Sequence, residues 1–144
     1  MRVTKPRGVN AVSLAYNPAL RPLLTSLSTH VDADGYRRGI QLFNREEFYD
    51  AHEVWEDVWR ECEGREKKFL QGLIQVAVAF HHHSTGNVTG ARSLLGRAGK
   101  NLADYPETFL GIGVAALLES LATWQAVLSS GGTKPAFPQL HMIE

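Results

Sequence analysis

Cysteine is nearly absent from this chain of 144 residues, since Cys62 is the only one. A lone cysteine excludes an internal disulfide framework and a cysteine-rich zinc site, and it fits a reducing compartment. Cys62 has no evident histidine partner in the sequence, so we expect it to pack in the core rather than act as a nucleophile.

Long apolar runs are also missing, because no stretch approaches the roughly 18 apolar residues of a membrane span. The basic N-terminus has no uninterrupted apolar segment before Pro18, which argues against a cleaved signal peptide. We therefore expect a soluble, uncleaved protein without a membrane partner, with the cytoplasm as its default location.

Neither sign of charge is in excess, because fifteen basic residues balance fifteen acidic ones. A chain without a net positive field is a poor general binder of polyphosphate backbones, so no nucleic-acid partner is expected. The length suits one domain, and the 44% of hydrophobic residues are sufficient for a packed core.

Helical periodicity dominates the middle of the chain and predicts an all-α, compact bundle of about five helices. Apolar residues with helical start and stop signals place the first helix from Asp32 and the second across FNREEFYDAHEVWEDVWREC. The other three are placed over Arg65–Ser84, from Val88 to about Ala103, and over Gly111–Leu128. The third contains FLQGLIQVAVAF, which is apolar on nearly every side and predicts a central, buried helix. Asn44 and Asn87 are the expected N-caps of the second and fourth helices.

The two ends of the chain lack this periodicity. Residues 1–31 mix Pro, Gly, Asn and charge, which predicts an N-terminal arm, with or without a short helix in PALRPLLTSL. Residues 32–130 then form the helical-bundle domain, and residues 131–144, which begin with two glycines, form an irregular C-terminal tail.

The second predicted helix has two seams of residues at helical spacing. The first seam is apolar and consists of Phe48, Ala51, Trp55, Val58 and Cys62. The second consists of Tyr49, His52, Glu56 and Trp59. His52 and Glu56 thus lie one turn apart on the inner half of the helix, whereas Glu53 falls on the solvated side.

The third predicted helix supplies polar partners, because Gln71, Gln75 and His82 share one face. If the two helices pack antiparallel, His52 and Glu56 meet some of these groups in an interior polar cluster. The run His81-His82-His83 spreads over about 200° of helix, so at most one histidine faces inward, and His82 is preferred.

Several functions are compatible with such a cluster. It is either a structural hydrogen-bonded network or a small-ligand pocket, with His52, Glu53 and Glu56 as candidate catalytic residues. The ligand-binding side chains of that pocket would be Trp59, Gln71, Gln75 and His82.

A metal-dependent, hydrolase-like enzyme is an alternative in which His52, Glu56 and His82 are the ligands. A divalent metal is not favoured, because zinc needs at least three good protein ligands and the H-E-x-x-H pattern fails at Glu56. A protein interaction module, in which the cluster only adds rigidity, is a further alternative. A small molecule and a second copy of the chain are the partners left open, and whether the protein is an enzyme is not decided.

Three motifs in order resemble the domain of unknown function 309, a widespread bacterial and archaeal family. They are FNREEFYDAHEVWEDVWR, LQGLIQVAVAFHHHSTGN and GNVTGARSLL, within a likeness that covers roughly residues 36 to 125. The resemblance implies a small helical bundle of uncharacterised function. Its pattern marks His52, Glu53, Glu56, Trp59, Gln71, Gly72, Gln75, Gly86, Asn87, Gly90 and Ala91.

Overall fold

The computed structural model describes residues 31–143. These residues contain five helices and one β-hairpin, in which each strand has two residues. In chain order the elements are α1 (Ala33–Asn44), α2 (Phe48–Arg60), α3 (Gly64–Ser84), α4 (Val88–Leu102), β1 (Thr108–Phe109), β2 (Ile112–Gly113) and α5 (Val114–Ser130). The predicted all-α bundle is confirmed. The arm and short helix predicted for residues 1–30 lie outside the described residues.

Helix α3 is central, as predicted, because it packs against both α2 and α4. It contributes eight buried residues, more than any other described helix. Gly72 permits the close approach of α4, since a Cβ atom at this position would lie 2.7 Å from Leu102 Cδ2. The apolar run that predicted a surrounded helix is therefore the centre of the core.

The first seam of α2 is buried over its full length. Trp55 is fully buried, and its indole N–H donates to the carbonyl oxygen of Tyr36 at 3.2 Å. Cys62 is also buried, and burial raises the pKa of its thiol to about 11. Because a thiol with that pKa is almost fully protonated near neutral pH, Cys62 is a packing residue.

Asn44 does not cap α2, and this prediction is wrong. Asn44 is the last residue of α1, and α2 begins at Phe48 with Glu47 at the N-cap position and no side-chain capping bond. The Asn44 amide instead donates to the Leu140 carbonyl at 2.8 Å and accepts from the Leu140 backbone N–H at 2.7 Å. The side chain therefore fastens the C-terminal tail to the end of α1.

The tail has no helix or strand over residues 131–143, but three of its side chains, those of Phe137, Leu140 and Met142, pack in or against the core. Leu140 is buried, and the Phe137 ring stacks on Trp124 at 4.9 Å between centroids. The Trp124 indole N–H donates to the Ala136 carbonyl at 3.0 Å. The tail is thus a packed part of the helical unit.

The hairpin between α4 and α5 occupies residues that were expected to begin the fifth helix. Phe109 pairs with Ile112, and the two loop residues Leu110 and Gly111 have φ values of 48° and 78°. Because a left-handed backbone at Gly111 is incompatible with a helix, α5 starts three residues later than predicted. None of the five helices described has the length and apolar content of a membrane span.

Candidate functional site

The polar residues of α2 and α3 are half-buried or exposed and are not all brought together, so the predicted interior cluster is wrong. No polar or charged side chain is fully buried among residues 31–143. The side chain of His52 is 15% exposed and that of Glu56 is 38% exposed. This placement avoids the high cost of taking an ionised carboxylate away from water.

His52 is held by its own helix. Its Nδ1 atom lies 2.8 Å from the carbonyl oxygen of Tyr49, which accepts a hydrogen bond from that nitrogen. Its Nε2 atom lies 3.7 Å from Glu56 Oε2. Both ring nitrogens therefore face oxygen atoms of α2, and the predicted pairing of His52 with Glu56 is observed at the edge of the bundle.

The three consecutive histidines of α3 point to three different places. The His81 ring lies 5.0 Å from the Tyr49 ring of α2, whereas His82 Nδ1 lies 3.4 Å from the side-chain nitrogen of Asn87. The His83 ring lies 5.1 Å from Trp124 of α5. The histidine beside α2 is therefore His81 and not His82, because the rotation of α3 about its axis turns His82 toward the following turn.

The two glutamines also differ from the prediction. Gln71 is exposed, and Gln75 is half-buried and accepts a hydrogen bond from the Asn101 amide of α4 at 2.8 Å. Gln75 thus links α3 to α4 and does not reach His52. Glu53 and Glu56 are both half-buried, so the expected difference in exposure between them is not seen.

The three predicted metal ligands are not brought together. His52 and Glu56 are neighbours, but the contacts of His82 are to Asn87 and to the His81 ring, at 6.4 Å between centroids. Within residues 31–143 no three His, Cys, Asp or Glu side chains are grouped in a way that would hold a metal ion.

What the structure does bring together is a row of side chains along the edge between α2 and α3, which we call the motif face. It consists of Tyr49, His52, Glu56 and Trp59 of α2 with Lys67 and His81 of α3, together with Glu53, which is one helical turn from Tyr49 on α2. Tyr49 is 49% exposed, and its ring lies 4.9 Å from that of His52. Sequence reasoning missed His81 and Lys67, although an antiparallel α2–α3 pair places the end of one helix beside the start of the other.

The opposite end of the motif face is formed by Trp59. The Lys67 ammonium lies 4.2 Å from the centroid of the Trp59 ring, which is a cation–π contact. The Trp59 indole N–H is buried and has no hydrogen-bond acceptor among the described residues. A buried donor without an acceptor costs free energy, so this end of the motif face carries an uncompensated polar atom.

The segment around α2 is strongly acidic, with eight acidic residues and one basic residue between positions 46 and 63. Arg60 is the basic residue, and it pairs with Asp57 at 2.6 Å and with Glu56 at 3.9 Å. Within residues 31–143, Asp50 and Glu53 have no basic partner. The net neutrality of the chain therefore conceals a local acidic surface.

Two surface depressions lie on other parts of the bundle. One, of about 310 Å³, is lined by the start of α5 and the C-terminal tail. The other, of about 300 Å³, lies between α4 and α5. Neither is lined by a residue of the motif face.

The resemblance noted in the sequence is confirmed over residues 36–94, which match the family model of a domain of unknown function, DUF309. An uncharacterized protein of Aquifex aeolicus (strain VF5) is 34% identical over 82 residues, covering 56% of this chain and 25% of that protein. Uncharacterized protein YpuF of Bacillus subtilis (strain 168) is 32% identical over 57 residues, covering 39% of this chain and 33% of its own length. The chain thus spans between a quarter and a third of the length of these curated relatives. Every residue of the motif face lies within the matched range.

Proposed function

We propose that the protein is an interaction module whose motif face binds a lysine- or arginine-rich segment of another protein. The proposal depends on one observation: the accessible ring of Tyr49 shares one face of α2 with Glu53, which has no basic partner among the described residues, and with Glu56. Tyr49, Glu53 and Glu56 are spaced at i, i+4 and i+7, so their side chains are neighbours on the helix surface.

This combination suits a basic partner for two physical reasons. Tyr49 offers a half-exposed ring on which the aliphatic part of a lysine or arginine side chain packs. The positive charge of that side chain forms a cation–π contact with the face of the ring. Glu53 and Glu56 then accept hydrogen bonds from the charged end of that side chain. The surrounding acidic residues raise the rate of encounter with a basic segment, an effect that salt weakens.

A catalytic role for His52 has less support than recognition. Its nitrogen atoms already face the Tyr49 carbonyl and Glu56, and neither described depression reaches the motif face. A general base needs the proton that it abstracts within hydrogen-bonding reach, which a recessed, internally paired imidazole does not favour. The location proposed for this module is the cytoplasm, in line with the single free cysteine.

Replacing Glu53 by lysine is expected to weaken the binding of a fluorescent oligo-arginine peptide by about tenfold, because an attractive charge becomes repulsive. Fluorescence anisotropy at low and at physiological ionic strength measures the affinity. Glu119→Lys is the matched control, since Glu119 is an exposed carboxylate on α5 and the change in net charge is the same. Equal losses in the two variants would mean that only net charge matters, and the proposal would then be wrong.

A further inference from the structure

A second candidate site is the depression of about 300 Å³ between α4 and α5. Thr89, Arg92 and Ser93 line it from α4, at i, i+3 and i+4. Gln125 and Ser129 line it from α5, at i and i+4. Each helix therefore presents one polar face to the same space, whose volume is at the lower end of the range for small-molecule sites.

The lining is suited to an anion. It contains one guanidinium, from Arg92, and three hydroxyl groups, and it contains no carboxylate. Helix α4 itself carries three basic residues and no acidic one. A phosphate group has several acceptor oxygens, so it takes a forked pair of hydrogen bonds from arginine and further bonds from hydroxyls.

Gln125 adds an acceptor to this set of donors. Its Oε1 atom is buried and has no hydrogen-bond donor among the described residues. The other end of the amide is directed toward α4, where a Cβ atom on Gly96 would lie 3.4 Å from Nε2. A buried acceptor without a donor is costly, and a ligand hydroxyl or amine that displaces the atoms covering Oε1 would remove that cost.

Side chains and not the start of the helix would hold such a ligand. The Gly90 backbone N–H is already bonded to Asn87 Oδ1 at 2.8 Å, and the Val88 N–H to the Gly86 carbonyl at 3.1 Å. The α4 N-terminus therefore has few free amides for an anion.

We propose that this α4–α5 site binds a small phosphate monoester that carries a hydroxyl or amine group. Arg92 and the hydroxyls of Thr89, Ser93 and Ser129 bind the phosphate, and the Gln125 carbonyl oxygen accepts from the ligand's donor. The site is separate from the motif face, so it stands or falls independently of the protein-binding proposal.

Isothermal titration calorimetry with glycerol phosphate and with inorganic phosphate tests this assignment. We expect glycerol phosphate to bind more tightly than inorganic phosphate, because only the former supplies a donor to Gln125. Arg92→Gln should weaken glycerol phosphate binding by about tenfold or more. Arg97→Gln, which removes the same charge from an exposed position of α4 outside the depression, should leave binding nearly unchanged.

Gln125→Leu provides the second arm, since it removes the acceptor while retaining a side chain of similar size. It should abolish the preference for glycerol phosphate over inorganic phosphate, with circular dichroism used to verify folding. Absence of binding at millimolar ligand, equal losses in Arg92→Gln and Arg97→Gln, or a preference unchanged in Gln125→Leu would each overturn the proposal.

Discussion

Gly39→Ala is expected to lower the free energy of unfolding by about 3 kcal/mol, because the added methyl group has no room. A Cβ atom on Gly39 would lie 2.1 Å from Trp55 Nε1, and its three nearest atoms all belong to that indole. Trp55 cannot turn aside easily, since it is fully buried and bonded to the Tyr36 carbonyl. Urea unfolding followed by tryptophan fluorescence measures the change.

Gly99→Ala is the control for this prediction. Gly99 also lies within a helix, but a Cβ atom there would meet nothing within 4 Å. This variant should gain up to about 1 kcal/mol from alanine's helix propensity. A second test combines Gly39→Ala with Trp55→Phe, where the smaller ring should recover part of the loss. Strictly additive losses in the double variant would show that contact with the indole is not the cause.

Trp124→Ala is expected to have an effect at least as large, about 3 to 5 kcal/mol, because it removes a fully buried indole. The Trp124 ring contacts Phe80 of α3 at 5.1 Å and stacks on Phe137 of the tail. Its loss therefore weakens both the contact between α5 and α3 and the attachment of the tail. The measurements are urea unfolding and the rate at which a protease cuts residues 131–143.

Trp124→Phe separates the two contributions of this residue. It keeps an aromatic ring against Phe80 but loses the hydrogen bond to the Ala136 carbonyl, so we expect a smaller loss of roughly 1 kcal/mol beyond the packing change. Tyr49→Ala, at a half-exposed position, serves as the control for aromatic truncation. A Trp124→Ala variant as stable as Tyr49→Ala would contradict the role assigned to the tail.

Local signals in the sequence were sufficient for most of the helical framework. The buried seam through Trp55 was predicted from the 3.6-residue spacing alone. The central position of α3 was predicted from a run of residues that is apolar on nearly every side of the helix. Asn87 caps α4 as predicted, because an N-cap asparagine bonds a backbone N–H only three residues away, here Gly90 at 2.8 Å. In each case the signal that predicts the feature lies within one helix or its cap.

The errors at Asn44 and in the polar cluster concern interactions between distant parts of the chain. Asparagine is a residue type that often caps helices, but the side chain of Asn44 forms its hydrogen bonds with Leu140, 96 positions away. Helical spacing also does not specify how far a helix is rotated relative to its neighbours. That rotation decides that His81 and not His82 lies beside Tyr49, and that Gln75 meets Asn101 rather than His52.

The second seam of α2 shows why a candidate site is harder to predict than a core. Spacing placed Tyr49, His52, Glu56 and Trp59 together correctly, but it did not distinguish an interior position from the edge of the bundle. The structure places the row at the edge, where Glu56 keeps its contact with water. A set of residues expected to form an internal network thereby becomes an accessible surface.

Nuclear magnetic resonance of the isotope-labelled protein, titrated with the oligo-arginine peptide, tests most directly whether the motif face is a recognition surface. We expect the largest shift changes at the backbone amides of Tyr49, His52 and Glu53 and at the Trp59 indole N–H. In Glu53→Lys the signals of the other three groups should shift much less at equal peptide concentration, in line with the weaker affinity. Changes concentrated on α4 and α5, or spread evenly over the acidic residues of the chain, would contradict the account.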